Sequence, residues 1–430
     1  MSNNPKGNNQ YNNGTKPSDD ILRAKLLQYT SENLRYKEMI SGLAADLGYH
    51  IQKRKLADLL KRFEIPTARR NSKMLTEDVK QELVHEKLRN DPYHRKGPNT
   101  IKSLLHQDLN PLPRSTVRSI QKTYEGPAGP LLRAPGMTNR IQRKPLLVLG
   151  PGQEMHSDGH EKWTASAIQL GDVSIGVYGF RQHVGHIPYL TVVPDARHAD
   201  AVGHLHLDMI EACGYRIPVQ CTVDKGSETG ELFAQQVALR YETKNMEQWP
   251  AFVAVPSTRN IMVESMWKWL LQFGGREVQE ILKEGKTNGI FKIGHPVHKN
   301  LFHWLWSQIL QSFLDSFREY WNSKRTRYRA DSGYPSGTTP NQIMRCPEEY
   351  GLRDCSILVS KVAIDALRHE RLPPRKEVLR WVDDVFEQNA RAVYEEIGSP
   401  RLDKGITSVR EAWAIFQLMA PRLESIYRRK

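Results

Sequence analysis

Apolar residues recur at helical spacing through the first quarter of this chain and change period near residue 150. The run "ILRAKLLQYTSENLRYKEMISGLAADLG" predicts one helix over 21–48, closed by Gly48. "QKRKLADLLKRFEI" predicts a second, which stops before Pro66. Further on, "TEDVKQELVHEKLRND" opens on the capping residue Thr76, "PNTIKSLLHQDL" is a short helix, and "RSTVRSIQKTYE" closes the series. A helix, a short turn and a second helix rich in Lys and Arg is the pattern of helix-turn-helix modules, and it occurs twice between residues 20 and 125. Residues 126–150 are rich in Pro and Gly and read as a linker. Strand patterning then takes over in "QEMHSDGHEKW", "VSIGVYGFRQHVG" and "HIPYLTVVPD", followed by helix, strand, helix and the strand "AFVAVPS". Three consecutive strands and then alternating helix and strand predict a mixed-direction α/β sheet of five strands with flanking helices. From 283 to 430 the pattern is again helical, with a turn-rich break at "YPSGTTP".

The expected organisation is thus a polar, disordered tail (1–19), a helical region (20–125), a linker (126–150), an α/β core (151–282) and a helical C-terminal region (283–430). Charge sharpens this division. The chain of 430 residues carries a net charge of +14. Residues 1–150 hold 27 Lys and Arg against 14 Asp and Glu, and the remainder holds 35 against 34. A cationic arm on a near-neutral body points to a polyanion partner, with double-stranded DNA expected. Arg114, Arg118 and Lys122 lie at i, i+4 and i+8 on one face, and Lys53 and Arg54 open the second basic helix; these five are the candidate DNA contacts of the arm. Four cysteines without C-x-x-C spacing argue against a disulfide scaffold, and no apolar run is long enough for a membrane span. The basic clusters "KRK" and "ARRNSK" and a DNA substrate lead to an expected nuclear location.

Three acids occupy comparable places in the predicted sheet. Asp158 ends the first strand, Asp224 ends the fourth, and Glu264 sits in the first turn of the helix after the fifth. In an open α/β sheet such positions converge on one edge. Taken one by one, an Asp at a strand end is a turn former and a Glu in a first turn complements the helix dipole. Together they would repel unless a cation compensates, and hard divalent ions such as Mg²⁺ or Mn²⁺ take oxygen ligands of this kind.

The segments "HSDGHEKW", "TVDKGSETG" and "PSTRNIMVESMWKWL", in this order, resemble the three signature segments of the integrase core, the RNase H-like DDE polynucleotidyl transferases of retroviruses, retrotransposons and related transposons. The resemblance covers about residues 150–335 and includes an "N-x-x-R" segment at Asn322 and Arg325 after Trp321. It implies an RNase H-like core in which Asp158, Asp224 and Glu264 are catalytic and ligate two Mg²⁺ (or Mn²⁺) ions. It also implies a DNA-contacting Lys268, one turn beyond Glu264, and supporting roles for Gly226, Glu228, Asn260 and His160. Gly226 is expected to let the backbone bend, Glu228 to cap a helix or brace a ligand, and Trp267 and Trp269 to pack. The implied activity is DNA cleavage followed by strand transfer, with a homo-oligomer joining two ends and no small-molecule cofactor. A nuclease, or a DNA-binding descendant without catalysis, is the alternative. No His/His/Cys/Cys module precedes the core, because Cys213 is the first cysteine, so zinc is not expected.

Overall fold

The computed structural model describes residues 14–126, 129, 148–160, 173–241, 249–328 and 334–428. Residues 1–13 of the expected tail, most of the expected linker and the "EKW" end of the first motif lie outside the described residues. The chain forms two compact units, one made of 1–151 with 320–354 and the other of 152–319 with 355–430.

The first unit holds seven helices before the linker: α1 (Asp19–Ser31), α2 (Tyr36–Leu47), α3 (Lys53–Arg62), α4 (Ala68–Met74), α5 (Glu77–Arg89), α6 (Pro98–Gln107) and α7 (Arg114–Glu125). Leu22, Leu26, Met39, Leu43, Leu56 and Leu59 share one core among α1–α3. Val84, Leu88, Ile101, Leu105, Val117 and Ile120 share another among α5–α7. The single helix expected over 21–48 is therefore two. Asn33 breaks it with φ +56°, a left-handed conformation that Asn tolerates, and the Glu38 carboxylate accepts the Arg35 N–H at 2.6 Å to restart it. The turn folds the apolar faces of α1 and α2 onto each other, which a straight helix would leave in water. Residues 320–354 add α13 (Pro340–Arg345), whose Arg345 pairs with Glu32 and lies over the Tyr29 ring. Arg325, the last residue of the expected "N-x-x-R" segment, pairs with Glu38, and Asn322 is buried.

The second unit is built on one mixed sheet of five strands: β1 (Glu154–Gly159), β2 (Gly176–Gln182), β3 (Tyr189–Val193), β5 (Gln220–Asp224) and β6 (Phe252–Val255). A short pair, β4 (Arg216–Ile217) with β7 (Ile357–Leu358), lies apart from it. The strand order is β3-β2-β1-β5-β6, with β1 central, antiparallel to β2 and parallel to β5. Helix α8 (Ala199–Ala212) packs with Met155, Tyr178, Phe180, Cys221 and Val223 in the main core. Strand alternation sends the even-numbered residues of β1, namely Glu154, His156 and Asp158, to the opposite face. That face carries α10 (Ile261–Leu270), whereas α9 (Gly230–Arg240) links β5 to β6. Gly179, paired across from Asp158, lets α10 approach: a Cβ there would meet Met266 at 2.6 Å and the Trp267 ring at 3.0 Å. Helices α11 (Arg276–Thr287), α12 (Pro296–Ser323), α14 (Lys361–Arg371), α15 (Arg375–Val378), α16 (Asp384–Glu396) and α17 (Ile406–Arg428) complete the described elements. Among the described residues, no helix is long and apolar enough to cross a membrane.

Candidate metal centre

The register of the sheet brings the first two acids side by side. On β1 and β5, His156 pairs with Thr222 and Ser157 with Val223, so Asp158 is the next residue along from those pairs and Asp224 stands beside it at the C-terminal ends of two parallel strands. Strand β6 ends level with them, with Val255 opposite Asp224. The chain then turns through Ser257–Arg259 and enters α10, whose first turn presents Glu264. One carboxylate oxygen from each of Asp158, Asp224 and Glu264 lies within 4.8 Å of the other two. Asp158 and Asp224 are half-buried and Glu264 is exposed, so the cluster opens on one side to solvent.

Asn260 organises this centre. It is fully buried, and its Nδ2 donates to Asp224 Oδ1 at 3.0 Å and to the Ser157 carbonyl at 3.2 Å. Both partners only accept, which fixes the amide and leaves Oδ1 to accept from His156 Nδ1 at 3.1 Å. His156 therefore carries its proton on Nδ1. Burial, the largest influence, pushes its pKa down to about 4, which keeps the ring neutral.

Asp158 is the most perturbed of the acids. Burial raises its carboxyl to about 7, the Trp267 indole opposes that rise, and Asp224 and Glu264 add like-charge repulsion. Trp267 Nε1 donates to Asp158 Oδ2 at 2.9 Å, and the same ring stacks on His160 with centroids 4.8 Å apart. The sequence reading assigned Trp267 to packing alone. It is 2% exposed and does pack, but it is also the donor that holds Asp158. Arg181, which the sequence reading did not single out, anchors α10 by donating to the Met262 carbonyl and to Ser265.

The other expected residues fall as follows. Lys268 is exposed and forms no ion pair with Glu264 one turn earlier. Gly226 has φ −141°, an extended conformation open to any residue, so no special bend is needed there; a Cβ at that position would instead collide with the Glu228 carboxylate. Glu228 caps neither the 3-10 turn Ser227–Thr229 nor α9, and is not one of the clustered acids. His160 donates its backbone N–H to Val177 O, and its ring stacks on Trp267. In the first unit, Arg114, Arg118 and Lys122 line one open groove along α7 with Ser115 and Ser119. Arg114 Nε donates to Asn99 at 2.7 Å. Lys53 and Arg54 are exposed at the start of α3.

The donors of the acidic centre are all carboxylate oxygens, which suits a hard divalent cation better than a soft one. No family model matches this chain, and no curated protein matches it.

Proposed function

We propose that the second unit is an RNase H-like, DDE-type polynucleotidyl transferase core that cleaves DNA and joins its 3′ end to a second strand, with the basic helical unit as its DNA-binding arm. The observation that carries this reading is the meeting of Asp158, Asp224 and Glu264 within 4.8 Å, from three elements spread over 106 residues, with no lysine or arginine among the described residues paired to any of them. Such a cluster is unfavourable by itself: burial first, and then Asp224 and Glu264, raise the Asp158 carboxyl, and a divalent cation offsets both.

The donor set fits Mg²⁺ or Mn²⁺, held by Asp158, Asp224 and Glu264. Two such ions, when bound, would lower the pKa of a nucleophilic water or 3′-hydroxyl and stabilise the leaving oxyanion of an in-line displacement. The residues around them do the positioning. Asn260 donates to Asp224 and Trp267 donates to Asp158, and these hydrogen bonds hold the two carboxylates in place. Glu264 reaches the cluster from the first turn of α10 and is its solvent-exposed member. Lys268, one turn further on, exposed and with no ion pair among the described residues, adds positive charge where a DNA phosphate would lie. In the first unit, Arg118 and Lys122 have no acidic partner among the described residues, so their charge is available to a backbone. Strand transfer between two ends implies a homo-oligomer, and the substrate implies a nuclear site of action.

The test is Asp224→Asn in a Mg²⁺-dependent cleavage and joining assay on duplex oligonucleotides. The variant keeps DNA affinity and loses turnover by several orders of magnitude. Cleavage without joining in the wild type would assign a nuclease instead, and full activity in the variant would remove this centre from the chemistry.

A further inference from the structure

A second donor cluster lies on the same sheet face, two residues back along β1. Glu154 and His156 share that face, and His183 joins them because its backbone N–H donates to the Glu154 carbonyl at 2.8 Å, directly across the β1–β2 pair. His156 Nε2 is 3.1 Å from His183 Nδ1, His183 Nδ1 is 3.3 Å from Glu154 Oε2, and His156 Nε2 is 3.6 Å from Glu154 Oε1. Bonds of about 2.0–2.1 Å at tetrahedral angles place neighbouring donors about 3.3 Å apart. The nitrogen–nitrogen distance and the distance from each ring to its nearer carboxylate oxygen, Oε2 for His183 and Oε1 for His156, bracket that value, and one donor atom from each residue lies within 4.8 Å of the other two.

Three further facts favour an ion over a plain hydrogen-bond cluster. Asn260 takes the Nδ1 proton of His156, so the Nε2 that faces the cluster carries a lone pair. Besides its contacts with the two histidines, Glu154 accepts from the Thr222 hydroxyl and, at 3.5 Å, from the Gln220 amide, and among the described residues no lysine or arginine pairs with it. Arg181, opposite His156, is turned to α10. The comparable group His295, His298 and Glu424 differs on this point, because Lys292 at 2.7 Å and Arg428 at 3.3 Å already neutralise Glu424.

We infer that Glu154, His156 and His183 form a binding site for a Zn²⁺-class transition metal, separate from the acidic centre and joined to it through Asn260. The two-nitrogen, one-carboxylate set leaves a fourth position for water. Bound metal would fix the His156 ring, and with it the Asn260 amide that orients Asp224. The donors come from two paired strands, not from a Cys/His spacing, which is why the sequence pattern points away from zinc.

The site is tested in the full chain carrying Asp224→Asn, which weakens the acidic centre, so the result does not depend on the proposed transferase reading. After chelation and dialysis, Co²⁺ is titrated and followed by visible absorption, with Zn²⁺ as competitor. One equivalent with the intense bands of four-coordinate Co²⁺, displaced by Zn²⁺, is expected. Adding His183→Ala weakens that binding at least about 100-fold. His183→Gln, closer in size, does the same if the alanine variant does not fold. Absence of the bands, or an unchanged affinity in a folded His183 variant, overturns the inference. DNA cleavage failing in the wild type while the Co²⁺ bands persist would sink the transferase reading alone.

Discussion

Replacing Asp158 by Asn should stabilise the metal-free chain. The carboxyl is raised to about 7 by burial, and by Asp224 and Glu264, despite the Trp267 hydrogen bond. Its unfolded value is near 3.8, so the folded state disfavours the charged form. The sign follows from linkage: the cost is absent below pH about 3.8, grows as pH rises, and is complete above pH 7. Each pH unit in that window is worth about 1.4 kcal/mol, so the ceiling is about 4 kcal/mol. Asn is isosteric, cannot ionise, and still accepts from the indole. Melting of wild type and Asp158→Asn, both in chelator, should coincide near pH 4 and separate progressively up to pH 8. A unit of this size shifts its midpoint by about 2–4 °C per kcal/mol. Mg²⁺ should stabilise the wild type by about 2.7 kcal/mol at a hundred times its Kd, raising its midpoint accordingly, and leave the variant nearly unmoved. A variant less stable than wild type at pH 8, or a difference independent of pH, would refute the reasoning: Asp158 would then be a structural hydrogen-bond acceptor and not a strained ligand.

Trp267→Phe keeps the ring but removes the donor to Asp158, a hydrogen bond to a charged group worth about 1.5–3 kcal/mol, so half-saturation by Mg²⁺ at pH 7 should rise about 10- to 100-fold and recover at higher pH; titration calorimetry across pH reads it. Gly179→Ala pushes a methyl into Met266 and the Trp267 ring, which should cost about 1–3 kcal/mol in denaturant melts and weaken metal binding along with it. Arg118→Ala with Lys122→Ala should lower the slope of log affinity against log salt by about 0.9 for each lost phosphate contact, leaving thermal stability unchanged; an unaltered slope would take α7 out of the DNA interface.

The strands and most helices were readable from local pattern, because one-sided burial imposes a period of two on a strand and about 3.6 on a helix. "RSTVRSIQKTYE" is α7 residue for residue for this reason. Where a local signal was absent the reading failed: nothing in the 21–48 pattern marks Asn33 as a left-handed break, since the apolar spacing continues on both sides.

The amino-acid order alone set three acids at the ends of predicted elements and concentrated positive charge in the first 150 residues. It could not say that β1 pairs in parallel with β5 in the register that sets Asp158 beside Asp224, because register is a contact between segments 66 residues apart. Nor could it give Trp267 to Asp158, Asn260 to both Asp224 and His156, or His183 to Glu154. The Trp267 and Asn260 partnerships arise only when α10 and the turn before it lie across the face of β1 and β2, and the His183 one only when β1 pairs with β2. Protonation and metal affinity depend on such neighbours and on burial, and both belong to the folded chain.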